Sequence, residues 1–135
     1  MTDPKSLVAA AIAARRGAYA PYSNFSVGAA LLGRDGRVWL GANVENASYG
    51  LSMCAERNAV FHAIASGARV FDAIAIAGPD MSTTLPCGAC RQVLWEFSQQ
   101  LRIIYIDRGS VKTTTIQQLL PEAFGPMQLH EASSR

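Results

Sequence analysis

The side chains that most often bind transition metals are scarce in this sequence, which has three cysteines and two histidines in 135 residues. An odd number of cysteines excludes a scaffold in which every thiol is paired in a disulfide within the chain. We therefore expect a reducing compartment, in which the thiols stay free and available to a metal ion.

Charged side chains are also few, at 16% of the residues, and the formal net charge is +2. Arg15 and Arg16 form the only adjacent basic pair, and no window has the dense clustering of Lys and Arg expected of a nucleic-acid groove. The sequence thus predicts no nucleic-acid partner. So low a charged fraction favours the burial of some surface between subunits.

Long apolar runs are missing as well, since none approaches the ~18 residues of a membrane-spanning helix. Residues 1–5 lack the basic and then apolar pattern of a signal peptide, so we expect a cytoplasmic protein that does not enter a membrane. A length of 135 residues, of which 50% are hydrophobic, predicts a single domain over residues 1–135. The polar C-terminal segment, about the last ten residues, is predicted to be a flexible tail.

The three cysteines are concentrated in two short segments. Cys54 lies in the first segment, and Cys87 and Cys90 form a C-x-x-C pair in the second. Three thiolates can fill three corners of a zinc tetrahedron and leave the fourth for water, which is the pattern of a catalytic rather than a closed structural site. The sequence therefore predicts one zinc ion per chain.

Glu56, two residues after Cys54, also indicates a catalytic zinc site. Zinc-bound water needs a nearby group that can accept and donate its protons, and a carboxyl group can do both. In the middle of a helix, residues i and i+2 point about 200° apart. Cys54 and Glu56 can address one metal ion only if Cys54 lies at the start of a helix. The loop residues before Cys54 and the helical pattern after it allow this arrangement.

The second cysteine segment also reads as the start of a helix. Pro86 is a start signal, and Cys87 and Cys90, three residues apart, share a face of the first turn. Arg57 and Arg91 each directly follow a residue of the predicted site, and either could donate a hydrogen bond to cysteine sulfur. The alternative is that both arginines lie on the surface.

Neither histidine is expected to bind the metal. His62 lies two helical turns beyond Cys54, about 12 Å along the helix axis. His130 belongs to the polar C-terminal segment.

Hydrophobic periodicity and turn residues predict an α/β fold. The order of elements favours a mixed sheet of about five strands between two helix layers, with both cysteine-bearing helices on one face. Their N-termini are expected at the carboxyl edge of the sheet. The predicted helices cover residues 4–14, 53–65, 88–99 and 116–120, and the predicted strands cover residues 26–32, 37–44, 70–77, 102–106 and 111–114.

Five segments together resemble the zinc-dependent nucleoside deaminases, whose signature has His or Cys before x-Glu and then P-C-x-x-C. The resemblance is strongest to the small, homotetrameric cytidine deaminases and runs over residues 19–124. It implies a three-layer α/β/α fold and the zinc-dependent hydrolysis of cytidine and deoxycytidine to uridine and deoxyuridine plus ammonia, in pyrimidine salvage. The segments are 24–30, 43–50, Cys54-Ala55-Glu56, Pro86-Cys87-Gly88-Ala89-Cys90 and 120–124.

The resemblance also implies roles for individual residues. Zinc-activated water attacks C4 of the cytosine ring while Glu56 moves protons to N3 and to the departing amine. Asn43 and Glu45 bind the region of the ribose 3′-hydroxyl, for which an amide beside a carboxylate is a suitable pair. Without the resemblance, Asn43 and Glu45 could equally cap the loop that follows them.

Further substrate contacts are expected from aromatic side chains and from main-chain groups. Phe25 is expected to stack on the base, the backbone near Ala55 and Cys87 to read the base edge, and Tyr49 to line the substrate site. Phe124 is expected to reach the pocket of a neighbouring subunit. Taken alone, Phe25 and Phe124 could as well be core residues.

Three other functions compete with this reading. A related aminohydrolase acting on another cytosine-bearing small molecule would have the same zinc motif. In a non-catalytic zinc-stabilised binding module, Glu56 would have no structural role and a fourth protein ligand should close the metal site, but the sequence has no fourth cysteine. A polynucleotide-editing deaminase would be expected to show a basic groove.

Overall fold

The fold is centred on a five-stranded sheet with the spatial order β2-β1-β3-β4-β5 in the computed structural model, which describes residues 2–133. Strands β3 and β4 pair in parallel and the other neighbours are antiparallel, so the predicted mixed sheet is confirmed. The strands are β1 Gly28–Gly33, β2 Val38–Ala42, β3 Phe71–Ala77, β4 Arg102–Asp107 and β5 Ser110–Thr115.

Helices cover both faces of this sheet. The helices are α1 Pro4–Ala14, α2 Ala55–Ala65, α3 Gly88–Phe97, α4 Ile116–Leu119 and α5 Pro126–Ser133. Helix α1 packs against one face through Leu7, Val8 and Ala11, whereas α2 and α3 contribute to the core on the other face. The predicted three-layer arrangement, with both cysteine-bearing helices in one layer, is confirmed. No helix within residues 2–133 has the length and apolar character needed to cross a bilayer.

Helix α1 begins where the sequence predicts. The Asp3 carboxylate accepts a hydrogen bond of 2.8 Å from the Ser6 N–H, and Pro4 takes the first helical position, where a missing N–H costs nothing. The α-helix ends at Ala14 and is followed by one 3-10 turn over Arg15–Gly17.

Strand β2 and helix α2 approach each other closely. A Cβ atom at Gly41 would collide with main-chain atoms of Ala55 and Ala59, so glycine is what allows α2 to lie directly on β2. This close packing fixes the N-terminus of α2 beside the carboxyl end of β2.

The structure corrects the boundaries of two predicted elements near this point. Strand β2 ends at Ala42, so Asn43 and Val44 lie beyond it rather than in it, and Met53 precedes α2 rather than belonging to it. The physical reason is a long-range pairing, because Val44 and Met53 exchange two backbone hydrogen bonds of 2.8 and 2.9 Å. The extended segment that leads into α2 is held by this bridge.

Within the segment predicted to be a flexible tail, Pro126–Ser133 forms α5, a helix that the sequence analysis did not predict. Pro126 follows Gly125, whose N–H donates a 2.7 Å hydrogen bond to the Gln128 side chain. This is a capping arrangement in which a side chain from the first turn satisfies a free backbone donor. Residues 134 and 135 of the predicted tail lie outside the described residues.

Candidate metal centre

The three cysteines come together at the N-termini of two neighbouring helices. Cys54 is the N-cap of α2, Cys87 is the N-cap of α3, and Cys90 lies in the first turn of α3. Their Sγ atoms all lie within 4.8 Å of one another, and those of Cys54 and Cys87 are 3.9 Å apart. The predictions that Cys54 starts a helix and that the two helix tips converge are confirmed.

The sheet explains why the two tips meet. Strands β2 and β3 both run antiparallel to β1, so they share a direction and their carboxyl ends lie at the same edge. Helix α2 follows β2 and helix α3 follows β3, and the two helices contact each other. Functional groups of open α/β sheets collect at this edge.

The sulfur cluster fits a zinc ion. Thiolate sulfur is a preferred zinc ligand, and three protein ligands leave one position for water or substrate. Cys90 is buried, Cys54 is half-buried and Cys87 is exposed, so the cluster opens on one side. Within residues 2–133, these three residues are the group of side chains placed closely enough to hold a metal ion.

Arg57 interacts directly with this cluster. Its Nη2 lies 3.3 Å from the Cys54 Sγ and donates a hydrogen bond to it. Hydrogen bonding from Cys90, and then the contact with Arg57, lower the pKa of Cys54 to about 5 despite its partial burial. The pKa of Cys90 is raised because its proton is shared with Cys54 and because the thiol is buried. A thiolate is therefore favoured at Cys54 even before a metal ion neutralises it.

Arg91 does not act on sulfur in the way the sequence suggests. Its Nε donates a 2.7 Å hydrogen bond to the Pro86 carbonyl, and its Nη1 donates one of 2.9 Å to the Leu119 carbonyl. Both hydrogen bonds are partly buried, where a carbonyl oxygen without a hydrogen-bond donor is unfavourable. Arg91 thus ties the segment before Cys87 to the end of α4.

Glu56 is the one buried charged residue in the described part of the chain, with 4% of its surface exposed. It is the second residue of α2, two residues after the Cys54 cap. Burial, as the largest cause, and the nearby Cys54 charge raise the pKa of Glu56 to about 7. A carboxyl group with such a pKa can both accept and donate a proton near neutral pH.

A cavity of about 310 Å³ is bordered by Cys54, Cys87 and Glu56. Its lining includes seven predicted site residues that come from four separate parts of the chain, and it also includes residues that the sequence analysis missed. Thr84 and Leu85 could have been found from their position just before Pro86, and Val27 from its place in segment 24–30, whereas no sequence signal marks Ser23. The lining residues are Ser23, Phe25, Val27, Asn43, Glu45, Cys54, Ala55, Glu56, Thr84, Leu85 and Cys87.

Asn43 and Glu45 line this cavity and also hold the loop before β1. The Asn43 amide accepts a 2.8 Å hydrogen bond from the Val27 N–H and donates one of 2.8 Å to the Phe25 carbonyl. One Glu45 oxygen accepts from the Tyr22 and Ser23 N–H groups at 3.0 and 3.1 Å, and the other accepts from the Ser23 hydroxyl. The loop they bind precedes them by about twenty residues along the sequence, rather than following them as the alternative prediction held.

The three predicted aromatic contacts lie in different places. Phe25 is partly exposed and lines the cavity, whereas Tyr49 lines an adjoining space of about 280 Å³ with Tyr22, Ser23 and Glu45. The rings of Tyr22 and Tyr49 meet edge to face at 5.9 Å. Phe124 is 58% exposed and is not among the residues that line either space.

The fold and the site together define a zinc-binding α/β enzyme in which a three-cysteine centre and a buried carboxyl group face a substrate-sized cavity. The model of the cytidine and deoxycytidylate deaminase zinc-binding region matches residues 1–106, and the chain belongs to this family. The resemblance described for the five sequence segments is confirmed.

Similar proteins extend this match over nearly the whole chain. A cytidine deaminase of Sporosarcina psychrophila is 42% identical over 98% of this chain and 99% of its own length. One from Halalkalibacterium halodurans is 49% identical over 90% of this chain and 94% of its own length. The crystal structure of cytidine deaminase from Burkholderia pseudomallei matches with a TM-score of 0.86 at 52% identity, covering 92% of this chain and 100% of that one.

Proposed function

We propose that this protein is a single-domain cytidine deaminase that converts cytidine and deoxycytidine to uridine and deoxyuridine with release of ammonia. The observation that carries the proposal is the placement of a buried carboxyl group, Glu56, in one cavity wall with Cys54 and Cys87, two of the three convergent sulfur ligands. The relatives described above are named cytidine deaminases, and the chain covers almost their full length.

Cys54, Cys87 and Cys90 would hold the zinc ion. When bound, zinc supplies Lewis acidity that makes water a nucleophile near neutral pH. Glu56 accepts a proton from the attacking water and delivers it to N3 of the cytosine ring. It then moves the second proton to the amino group, so that the water oxygen stays on C4 and ammonia leaves. Arg57 offsets part of the negative charge that three thiolates bring to the metal.

The substrate would lie between the rigid wall of α2 and the loop before β1. Phe25 offers a ring face for the base, and Tyr49 lines the adjoining space. The main chain at Ala55 and Cys87 borders the cavity and can read the base edge. Asn43 keeps one N–H and one lone pair free after its two loop contacts, and Glu45 keeps lone pairs, so both can still bind ribose hydroxyls.

The charges around the cavity favour a nucleoside over a nucleotide. The family includes enzymes for both cytidine and deoxycytidylate. The residues that line the cavity include Glu45 and Glu56 but neither lysine nor arginine. A 5′-phosphate would therefore meet carboxylates without a cationic partner, which is unfavourable.

We also propose that the active form is a cytoplasmic homotetramer whose pockets are completed by neighbouring subunits. Phe124 is exposed and lies outside both spaces of its own chain, as a residue that serves another subunit would. Met127 and Leu129 on α5 are also exposed, at 66% and 63%, so three large apolar side chains within six residues of sequence are open to solvent in the single chain.

The loss of cytosine absorbance tests this function. We expect rapid turnover of cytidine and deoxycytidine, little turnover of deoxycytidylate, and strong inhibition by a chelator that zinc reverses. A cytosine nucleoside with an altered sugar, offered in parallel, distinguishes a related aminohydrolase, which would prefer it over cytidine. Absence of turnover with zinc bound would support a binding module instead and would contradict the proposal.

A further inference from the structure

The loop between β3 and Cys87 forms one wall of the cavity. Thr84 and Leu85 from this loop lie in the same lining as Cys54, Glu56 and Cys87. These two lining residues supply no sulfur ligand and no acidic or basic group, so the loop contributes to the shape of the space that receives the substrate.

This loop has an unusual backbone conformation that the rest of the structure must maintain. Asp80 and Met81 have φ values of 51° and 57°, in the left-handed region that residues with a Cβ atom adopt at a cost. The loop also folds back on the end of β3. Thr84 lies so close to Gly78 that a Cβ atom at Gly78 would collide with the Thr84 side chain. Such a conformation persists only where surrounding contacts determine it.

One such contact comes from the turn between β4 and β5. The Thr83 hydroxyl donates a 3.1 Å hydrogen bond to Oδ1 of Asp107. Asp107 is itself fixed, since its other oxygen lies 3.0 Å from the Lys112 ammonium and its side chain is 19% exposed. Lys112, as the main cause, and Thr83 hold the pKa of Asp107 below its ordinary value, so the acceptor is a carboxylate at neutral pH.

We infer that Thr83 and Asp107 are positioning residues that set the affinity of the active site for its nucleoside by fixing the cavity wall at Thr84 and Leu85. Neither residue lines the cavity, so both act through their neighbours. The inference rests on the proposed function, and it assigns part of substrate binding to a strand turn on which no ligand contact is predicted.

The zinc centre should not depend on this hydrogen bond. Pro86, between the loop and Cys87, is buried, and its carbonyl is held by Arg91. The end of the loop that leads to the cysteines is thus anchored separately from Thr83. Loss of the Thr83 contact should therefore change KM while zinc content and kcat stay near their original values.

Thr83→Val tests this inference, because valine keeps the shape of threonine and removes the donor. We expect KM for cytidine to rise about three- to tenfold, the range for one lost hydrogen bond, with kcat within about twofold of the original. Thr83→Ser keeps the hydroxyl and should restore KM. Adding Asp107→Ala to Thr83→Val should raise KM no further than Asp107→Ala alone, because the two residues act as one unit.

An unchanged KM in Thr83→Val, or equal effects of the valine and serine variants, would overturn the inference. A fall in kcat together with zinc loss would also overturn it, since the loop would then act on the metal centre. The unsubstituted protein in the same assay separates the two proposals. If it does not deaminate cytidine, the proposed function has failed. If it is active and Thr83→Val has the same KM, only the positioning role is refuted.

Discussion

Glu56 carries the chemistry at the scale of single residues, because it is an almost fully buried carboxyl group that lines the cavity together with Cys54 and Cys87. Glu56→Gln keeps the size and hydrogen-bonding capacity of the side chain but cannot accept a proton. We expect kcat to fall by about 10² or more, the usual contribution of acid and base catalysis. The measurement is the rate of cytidine turnover at equal zinc content. A variant with near-normal kcat would show that another group transfers the protons.

The sequence predicted single residues well where their partners are close along the chain. The C-x-x-C spacing and the position of Glu56 after Cys54 required the two helix starts that the structure contains. The partners of Asn43, Glu45 and Arg91 are set by the tertiary fold, as in the hydrogen bond from Arg91 to the Leu119 carbonyl. Local spacing carries no information about such contacts.

At the scale of elements, the close approach of β2 and α2 positions the metal centre. Gly41→Ala would insert a methyl group where main-chain atoms of α2 already lie, and α2 must move outward with Cys54 and Glu56. We expect a loss of about 1–3 kcal/mol in the free energy of unfolding, typical of overpacking, and a large loss of kcat. Thermal unfolding and steady-state kinetics measure the two effects.

Gly17→Ala is the matched control for this substitution. Its new Cβ atom would lie 3.9 Å from the Cβ of Ala42, which is ordinary van der Waals contact. This variant should keep the stability and kcat of the original protein. If Gly41→Ala behaves in the same way, the packing of α2 on β2 does not determine the geometry of the site.

The sequence also predicted most elements, because caps and turns mark their ends. Asp3 and Pro4 start α1, and Thr115 caps α4 by accepting from the Gln118 N–H, so both helices begin at the predicted residues 4 and 116. One boundary error falls where pairing with another segment decides, at Met53, which pairs with Val44 instead of joining α2. Helix α5 was a separate omission, although the Gly125-Pro126 pair is a start signal.

At the scale of the whole molecule, the proposed homotetramer predicts that subunits share their sites. If Phe124 completes a neighbour's pocket, the active protein should elute as an oligomer, and Phe124→Ala should raise KM for cytidine. Co-expression of Phe124→Ala chains with Glu56→Gln chains should restore part of the activity that each variant lacks alone. In the mixed oligomers, some pockets combine an intact Glu56 with an intact Phe124 from the adjacent chain.

Each variant expressed alone is the control for this complementation. The outcome that contradicts shared pockets is a fully active monomer in sizing experiments, or mixed oligomers with no more activity than the two variants measured separately.

The zinc content of the purified protein tests the central claim most directly, because every catalytic role assigned here depends on a metal ion held by three sulfurs. Metal analysis should give one zinc per chain for the original protein and for Glu56→Gln, and much less for Cys87→Ala, since two thiolates bind zinc more weakly than three. A purified, folded protein without zinc, or a Cys87→Ala variant that retains one zinc per chain, would contradict the account.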